Sequence, residues 1–419
     1  MNEPLRIDRF PAGQIFLPPS KSVAHRALIC SVLSGGGTIT NLGENDDIRA
    51  TEQCLQALMS DDTPVLDCNE SGSTLRFLIP LAALQNRPIT FIGRGRLMER
   101  PLGVYEQCLG DKGVTMDRTN GQLIVQGPLQ AGTFHVPGDV SSQFITGLLL
   151  ALPLLSEDSI IQVDTPLQSA SYVDLTLAVL KDFGITIEHK NHQSYHIPGN
   201  QTYQVRDYSV EADCSGAAFF LAAAALGRPV ELMGLNQTSV QGDRAFLDLL
   251  IQAGYGLTTG PNGGLKVIPC EATPSTPDRV SRPKPLTVDV GDIPDLVPPL
   301  AAFLAFANGE SRIINAGRLR IKESDRLATV TQQLNNLGAE VMEGDDYLII
   351  RGKEALTGGT CNGENDHRIA MMCGVAAIGC VDPVILSDYT CVKKSYPSFW
   401  TDFMGLTQDQ PLPTKEELK

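Results

Sequence analysis

The sequence predicts an α/β fold built from six repeated strand, helix, strand, helix, strand, strand units, arranged as two domains of three with parallel helices buried inside each. Three observations carry that prediction. A short polar cluster recurs six times at the end of a strand-like run, anchored at residues 21, 72, 141, 214, 293 and 366, a period near 70. That is the length of a supersecondary unit, longer than a solenoid repeat. The stretches that follow the clusters, such as Phe144 to Leu155 and Ala217 to Leu226, are apolar all round, so other structure must enclose each of them. In the four middle units a second, amphipathic helix ends in glycine, at Gly113, Gly184, Gly254 and Gly338, the residue best suited to a helix C-terminus. A single α/β sheet with six strand-to-helix turns is the competing arrangement.

In chain order the clusters are Pro19-Ser20-Lys21-Ser22, Glu70-Ser71-Gly72-Ser73, Gly138 to Ser142, Asp213-Cys214-Ser215-Gly216, Gly291 to Asp295 and Asn365-Asp366-His367-Arg368. Each opens a helix. Parallel buried helices aim their N-termini at one end of a domain, and the free N–H groups and helix dipole there favour anions. Full charges accompany them in Lys21, Arg26, Arg76 and Arg368, with Arg96, Arg100, Lys393 and Lys394 between or after the clusters. One anionic group needs two or three cations, so this many suggests a polyanionic substrate or two anionic substrates.

The most charged stretch is Arg318-Leu319-Arg320-Ile321-Lys322-Glu323-Ser324-Asp325-Arg326. Its first half alternates charged with apolar residues, the period of a strand with one wet face. From Arg326 to Gly338 the spacing becomes helical, with Ser324 or Glu323 placed to cap the start. Glu323 stands among cations as a candidate proton carrier.

Composition limits the rest. The 419 residues carry a net charge of -15, which argues against nucleic acid or an anionic membrane as partner. No apolar run approaches the ~18 residues of a membrane span, and Met1-Asn2-Glu3-Pro4 lacks a signal peptide's apolar segment. The ten cysteines form no Cys-x-x-Cys pair, so neither zinc site nor disulfide framework is expected and the reduced cytoplasm fits best. His189, His192 and His196 lie in a polar segment that reads as a solvated hairpin without carboxylate partners at ligand spacing. No phosphate-binding Gly-x-x-x-x-Gly-Lys loop occurs, and Gly93-Arg94-Gly95 is too short to signal a dinucleotide site.

Nearly the whole chain resembles the 5-enolpyruvylshikimate-3-phosphate synthase (3-phosphoshikimate 1-carboxyvinyltransferase) family. The motifs are Pro18-Pro19-Ser20-Lys21-Ser22 with Arg26, Ser71 to Arg76, Arg96 with Glu99-Arg100-Pro101, Ser141-Ser142-Gln143, Ser169 with Tyr172, Ile293-Pro294-Asp295, Lys322 to Arg326, Asn365 to Arg368 and Lys394-Ser395-Tyr396-Pro397. Their common order carries the resemblance; each alone is weak. It implies the two-domain inverted α/β barrel of enolpyruvyl transferases, with residues 19–211 as one domain, 1–18 plus 212–419 as the other, and a substrate cleft between them. The chain would cross near Pro18 to Ser20 and near Val210 to Ala212.

The reaction so implied moves the enolpyruvyl group of phosphoenolpyruvate to the 5-hydroxyl of shikimate 3-phosphate and releases phosphate, with no metal or organic cofactor and a monomer expected. Carried over by motif, shikimate 3-phosphate is held by Lys21, Ser22, Arg26, Ser141, Ser142, Gln143, Ser169, Tyr172, Asp295 and Lys322. Phosphoenolpyruvate is held by Lys21, Gly72, Arg96, Gln143, Arg326, Arg368 and Lys394. Asp295 and Glu323 resemble the family's proton-transfer residues, and Lys21, Lys322, His367 and Lys394 complete the expected catalytic set. Bland roles compete with these. Ser22, Ser73 and Ser142 could simply cap helices, Gly72 could serve a tight turn, Asp295 could be an N-terminal acid on its helix, and His367 a structural histidine.

Three departures from the family pattern stand out: Glu70 where many members have asparagine, Arg318 where some have asparagine, and Ser73 for the commoner threonine. UDP-N-acetylglucosamine enolpyruvyl transferase is the nearest alternative, but its expected reactive cysteine has no counterpart between Arg94 and Pro101. A non-catalytic anion-binding relative is the alternative from another class.

Overall fold

The polar clusters do begin helices, because in each a side chain or a proline ends the preceding strand conformation. The computed structural model describes residues 3–60, 63–269 and 282–405. It divides into two compact units, Pro19–Glu211 and a second made of Met1–Pro18 with Ala212–Lys419.

The first unit holds α1 (Lys21–Leu33), α2 (Asp46–Ser60), α3 (Gly72–Ala83), α4 (Gly103–Gly110), α5 (Ser142–Ala151) and α6 (Ala170–Asp182). Every residue of α3 except Ser73, and every residue of α5 except Gln143, is buried. The second unit holds α7 (Cys214–Ala225), α8 (Ala245–Gln252), α9 (Val297–Leu304), α10 (Arg326–Asn336), α11 (His367–Ala377) and α12 (Phe399–Phe403). Here α7, α9 and α11 are buried along their whole length. Phe220 of α7 packs on Phe399 with ring centroids 5.6 Å apart, and Phe399 stacks on Phe403 at 5.2 Å.

Sheets surround these helices in a repeated pattern: a parallel pair of strands flanks the buried helix in sequence, and an antiparallel hairpin follows the amphipathic one. Val65–Asp67 pairs parallel with Ile89–Ile92, which joins the hairpin of Gln122–Gln126 and Thr115–Thr119. The same order recurs around α5, with Thr133–Val136, Ser159–Val163, Ser194–Ile197 and Glu188–Lys190. Around α9 it is Thr287–Asp289, Glu310–Ile314, Leu348–Arg351 and Glu340–Glu343. The glycines after α4, α6, α8 and α10 all have positive φ, between 81° and 98°, the left-handed C-terminal turn their spacing predicts.

The strands beside the two expected crossings pair out of chain order. Gly13–Phe16 precedes α1 in the chain but pairs parallel with Val230–Met233 in the second unit. Tyr208–Ser209 precedes α7 yet pairs with Ile39–Thr40 in the first. Leu5–Ile7 likewise closes a three-stranded sheet with Val384–Ser387 and Gly359–Asn362.

No helix among the described residues is long and apolar enough to cross a membrane. The cysteines among them are all free, and Cys270 lies outside the described residues.

Candidate active site

In the first unit the site begins at the N-termini of α1, α3 and α5. Ser20, Ser71 and Ser141 are the N-cap residues, and Ser71 and Ser141 accept the N–H groups of Thr74 and Gln143. Side-chain capping therefore falls to Ser71 and Ser141, with Ser20 at the N-cap position but making no cap bond, and not to Ser22, Ser73 or Ser142, which stand one or two residues further on inside the first turn. Lys21 donates from Nζ to Asp47 Oδ2 at 2.9 Å.

Arg26 is buried at the bottom of this turn. Its Nη1 donates to the Ser22 carbonyl at 2.5 Å, Nη2 to the Tyr172 carbonyl at 3.0 Å and Nε to Thr176 Oγ1 at 2.8 Å. Burial draws its guanidinium down to about 10, since a desolvated cation is costly. Ser169 caps α6 in a left-handed conformation, φ 58°. For a residue with a Cβ that backbone is strained, a feature concentrated at functional positions.

Gly72 has an ordinary φ and serves no tight turn. A Cβ there would stand 2.6 Å from Arg100 Nη1 and 3.0 Å from Arg76 Nη1. The missing side chain lets two guanidinium groups approach the start of α3. Arg76 Nη1 in turn donates to Gln143 Oε1 at 2.8 Å, and Gln143 Nε2 donates to Ser73 Oγ at 3.0 Å. The amide of Gln143 is thereby fixed between the starts of α3 and α5. Arg96 sits apart on the exposed loop, 3.8 Å from Glu99. Glu70 lies against that loop, its Oε2 2.9 Å from where a Cβ of Gly95 would be.

The second unit assembles charge. Asp295 lies on a 3-10 turn, Pro294–Leu296, ahead of α9. Its Oδ1 accepts from Arg326 Nη1 at 2.8 Å and Lys322 Nζ at 3.5 Å, and its Oδ2 from Arg368 Nη2 at 3.1 Å. Glu323 accepts from Arg326 Nη2 at 2.6 Å. Asp366, wholly buried at the N-cap of α11, accepts from Arg326 Nε at 2.7 Å, Ser324 Oγ at 3.1 Å and the Arg368 N–H at 3.0 Å. Burial opposes the charge of Arg326, but Asp366, Glu323 and Asp295 outweigh it and raise its pKa. Burial lowers Lys322, with Asp295 opposing and Arg326 and Arg318 reinforcing the shift. His367 is buried beside Arg368, and Lys394 Nζ donates to the Asn365 carbonyl at 2.7 Å.

Several expectations are corrected here. Residues 317–321 form a 3-10 turn, not a strand. Only Leu319 of the alternating residues is fully buried, while Ile321 is 44% exposed, so the period-two pattern had no sheet to face. The cap of α10 is Asp325, whose Oδ1 accepts the Ala328 N–H at 3.2 Å, in place of Ser324 or Glu323. The His189 to His196 segment is a hairpin, but its histidines do meet carboxylates from elsewhere in the chain: His192 faces Asp174 at 3.4 Å and His196 faces Asp158 at 3.5 Å. Among the described residues no cluster of three or more histidine, cysteine or acidic side chains is suited to a metal ion.

The structure adds residues that were not assigned. Asp47 holds Lys21, Thr176 holds Arg26, and Asp366 holds Arg326. Asp243 is buried and accepts the Ser215 hydroxyl; burial and the charge of Asp295, against the pull of Arg368, push it up to about 6. Asp366 had a signal in its Asn-Asp-His-Arg motif. The others lie outside any motif.

Comparison with known proteins places this geometry in a family. The chain matches the model of the family described as EPSP synthase (3-phosphoshikimate 1-carboxyvinyltransferase) over residues 11–63 and 59–403. It is 44% identical over 415 residues to a 3-phosphoshikimate 1-carboxyvinyltransferase of Clostridium kluyveri, covering 94% of this chain and 95% of that one. A homologue of the same name from Clostridium acetobutylicum is 41% identical over 95% of both chains. In fold it is similar to the EPSP synthase of Acinetobacter baumannii, with a TM-score of 0.75 at 23% identity over 95% of this chain and 97% of that one. The enolpyruvyl transferase NikO of Streptomyces tendae gives the same TM-score at 17% identity, over 97% and 98%. With its motifs in order and the family model spanning residues 11–403, the chain belongs to the EPSP synthase (3-phosphoshikimate 1-carboxyvinyltransferase) family.

Proposed function

We propose that the protein transfers the enolpyruvyl group of phosphoenolpyruvate to the 5-hydroxyl of shikimate 3-phosphate, releasing phosphate. The observation that carries this reading is the convergence of Lys322, Arg326 and Arg368 on Asp295, with Glu323 on the same guanidinium. Addition followed by elimination requires a group to take the hydroxyl proton, a group to protonate the methylene carbon, and cations around the departing phosphate. Asp295 and Glu323 supply two carboxylates held by cations. Lys322, with its pKa lowered by burial, gives up its proton more readily than a surface lysine.

In this assignment shikimate 3-phosphate engages Ser22, Arg26, Ser141, Ser142, Gln143, Ser169 and Tyr172 in the first unit and Asp295 and Lys322 in the second. Phosphoenolpyruvate engages Gly72, Arg96 and Gln143, together with Arg326, Arg368 and Lys394. Lys21 serves both. The carboxylates now paired with Arg326 and Arg368 satisfy those cations until substrate anions compete for them. The reading places the enzyme in the cytoplasm as a monomer.

Purified protein should release phosphate from phosphoenolpyruvate with shikimate 3-phosphate as acceptor and not with UDP-N-acetylglucosamine. Release with the nucleotide sugar alone overturns the assignment. Glu323→Gln should bind both substrates in a calorimeter yet turn over about 10²–10⁴ times more slowly, the range of a general acid or base; unchanged turnover removes Glu323 from proton transfer.

A further inference from the structure

Below the helix starts of the first unit a second polar line runs through the core, using residues that no substrate role absorbs. His25 on α1 is 1% exposed. Its Nδ1 lies 2.8 Å from Thr51 Oγ1 on α2; that oxygen lies 2.6 Å from Thr74 Oγ1 on α3; and Thr74 Oγ1 lies 2.7 Å from Ser71 Oγ, the cap that opens α3. The line passes the carbonyl of Asp47, which lies 3.2 Å from Thr51 Oγ1 and 3.4 Å from Thr74 Oγ1 as an alternative acceptor, and the carboxylate of that same Asp47 holds Lys21. Its two ends are thus the turn that carries Lys21 and the turn that carries Gly72.

The direction of the hydrogen bonds follows from the ring. His25 Nε2 is buried and meets no hydrogen-bond partner among the described residues. A buried N–H without an acceptor is rarer than a buried acceptor without a donor, so the proton belongs on Nδ1. His25 then donates to Thr51, Thr51 to Thr74, and Thr74 to Ser71, which also accepts the Thr74 N–H at 3.2 Å. A second proton on the ring would have no acceptor and would face Lys21 and Arg26; burial first and those two charges next hold its pKa well below the usual value. Phe77 meets the ring edge-on at 6.2 Å, closing it from α3.

We propose that His25 is a positioning residue: through Thr51 and Thr74 it fixes the start of α3 at Gly72 against the start of α1 at Lys21, and so sets the spacing at which this unit grips an anion. The proposal rests on the reading that Lys21 and Gly72 hold phosphoenolpyruvate. Three helices meet at this line, and each link is a single hydroxyl. A donor lost at His25 leaves Thr51 and Thr74 free to turn toward the Asp47 carbonyl, which unlinks α3 from α1.

The test compares His25→Leu, which keeps bulk but has no donor, with His25→Asn, whose amide can still donate to Thr51. His25→Leu should raise the KM for phosphoenolpyruvate by about tenfold, the scale of a small misplacement in a binding site, and His25→Asn should restore most of it. A lower melting temperature with unchanged KM, or an Asn variant no better than Leu, overturns the proposal. Should the unmutated protein prove inactive, the failure belongs to the proposed function. The positioning role is then decided by titrating inorganic phosphate into the unmutated and His25→Leu proteins, where equal affinity overturns it. Nitrogen NMR of the imidazole at neutral pH should show the Nδ1–H tautomer; the Nε2–H tautomer reverses the line and also overturns it.

Discussion

The two units hold their buried arginines by opposite means. In the first, neutral groups position them, although Lys21 leans on the Asp47 carboxylate: carbonyls and a threonine hold Arg26, and an amide meets Arg76. In the second, carboxylates hold cations: Asp295, Glu323 and Asp366 surround Arg326, which is 1% exposed. Neutral acceptors leave the positive charge of a guanidinium available to an incoming anion, whereas carboxylates neutralise it and add proton acceptors. The first arrangement suits binding and the second suits proton transfer. That division follows from electrostatics alone, since a paired buried cation costs little until one partner is removed.

The largest expected effect is therefore in the second unit. Asp366→Asn keeps the shape but removes the charge that Arg326 and the N-terminus of α11 both use, and should destabilise the protein by about 3–5 kcal/mol in urea unfolding. A loss below about 1 kcal/mol would show that Glu323 and Asp295 neutralise Arg326 without it.

Asp243 sharpens the comparison through pH. Its folded pKa is raised from 3.8 to about 6, so below pH 4 it carries a proton in both states and costs nothing. As pH rises toward 6 the unfolded chain loses that proton first, and stability falls by roughly 3 kcal/mol before levelling off. Asp243→Asn, neutral throughout, should gain on the parent over that window and stay ahead above it. Parallel pH profiles for the two proteins would show that Asp243 does not titrate this way.

The smallest effect should lie in the first unit. Thr176→Val removes the hydroxyl that accepts from Arg26 Nε and should cost about 1–3 kcal/mol, the desolvation cost of one unmatched buried donor. Being a bond to a neutral group, its loss should vary little between pH 5 and 8. A steep pH dependence would mean that the hold on Arg26 also relies on charge.

Much of this was legible because it was local. A buried helix must be apolar all round, and a cap or a C-terminal glycine is written within a few residues, so the six helix starts and four glycine ends could be read directly. Residues 318–322 misled because alternation signals a strand only if a sheet exists to bury one face; here a 3-10 turn buries Leu319 alone. The side-chain partners of Lys21, Arg26, His192 and His196 were invisible because each comes from another element of the chain. Motifs marked the candidate ligands, while the residues that hold them are ordinary threonines and aspartates whose role depends on tertiary contact.

The exchanged strands have a consequence for synthesis. Residues 19–211 contain every strand that the first unit needs, ending with Tyr208–Ser209, so that unit can close while the ribosome is still translating the rest. The second unit cannot. Its strands at Leu5–Ile7 and Gly13–Phe16 are made first, yet their partners at Val230–Met233 and Val384–Ser387 emerge some two hundred and nearly four hundred residues later. Two unpaired edges must wait beside a finished neighbour, a state that invites mispairing. Maturation is thereby ordered, residues 19–211 before the second unit, and the strands at Leu5–Ile7 and Gly13–Phe16 are among the last to find their partners.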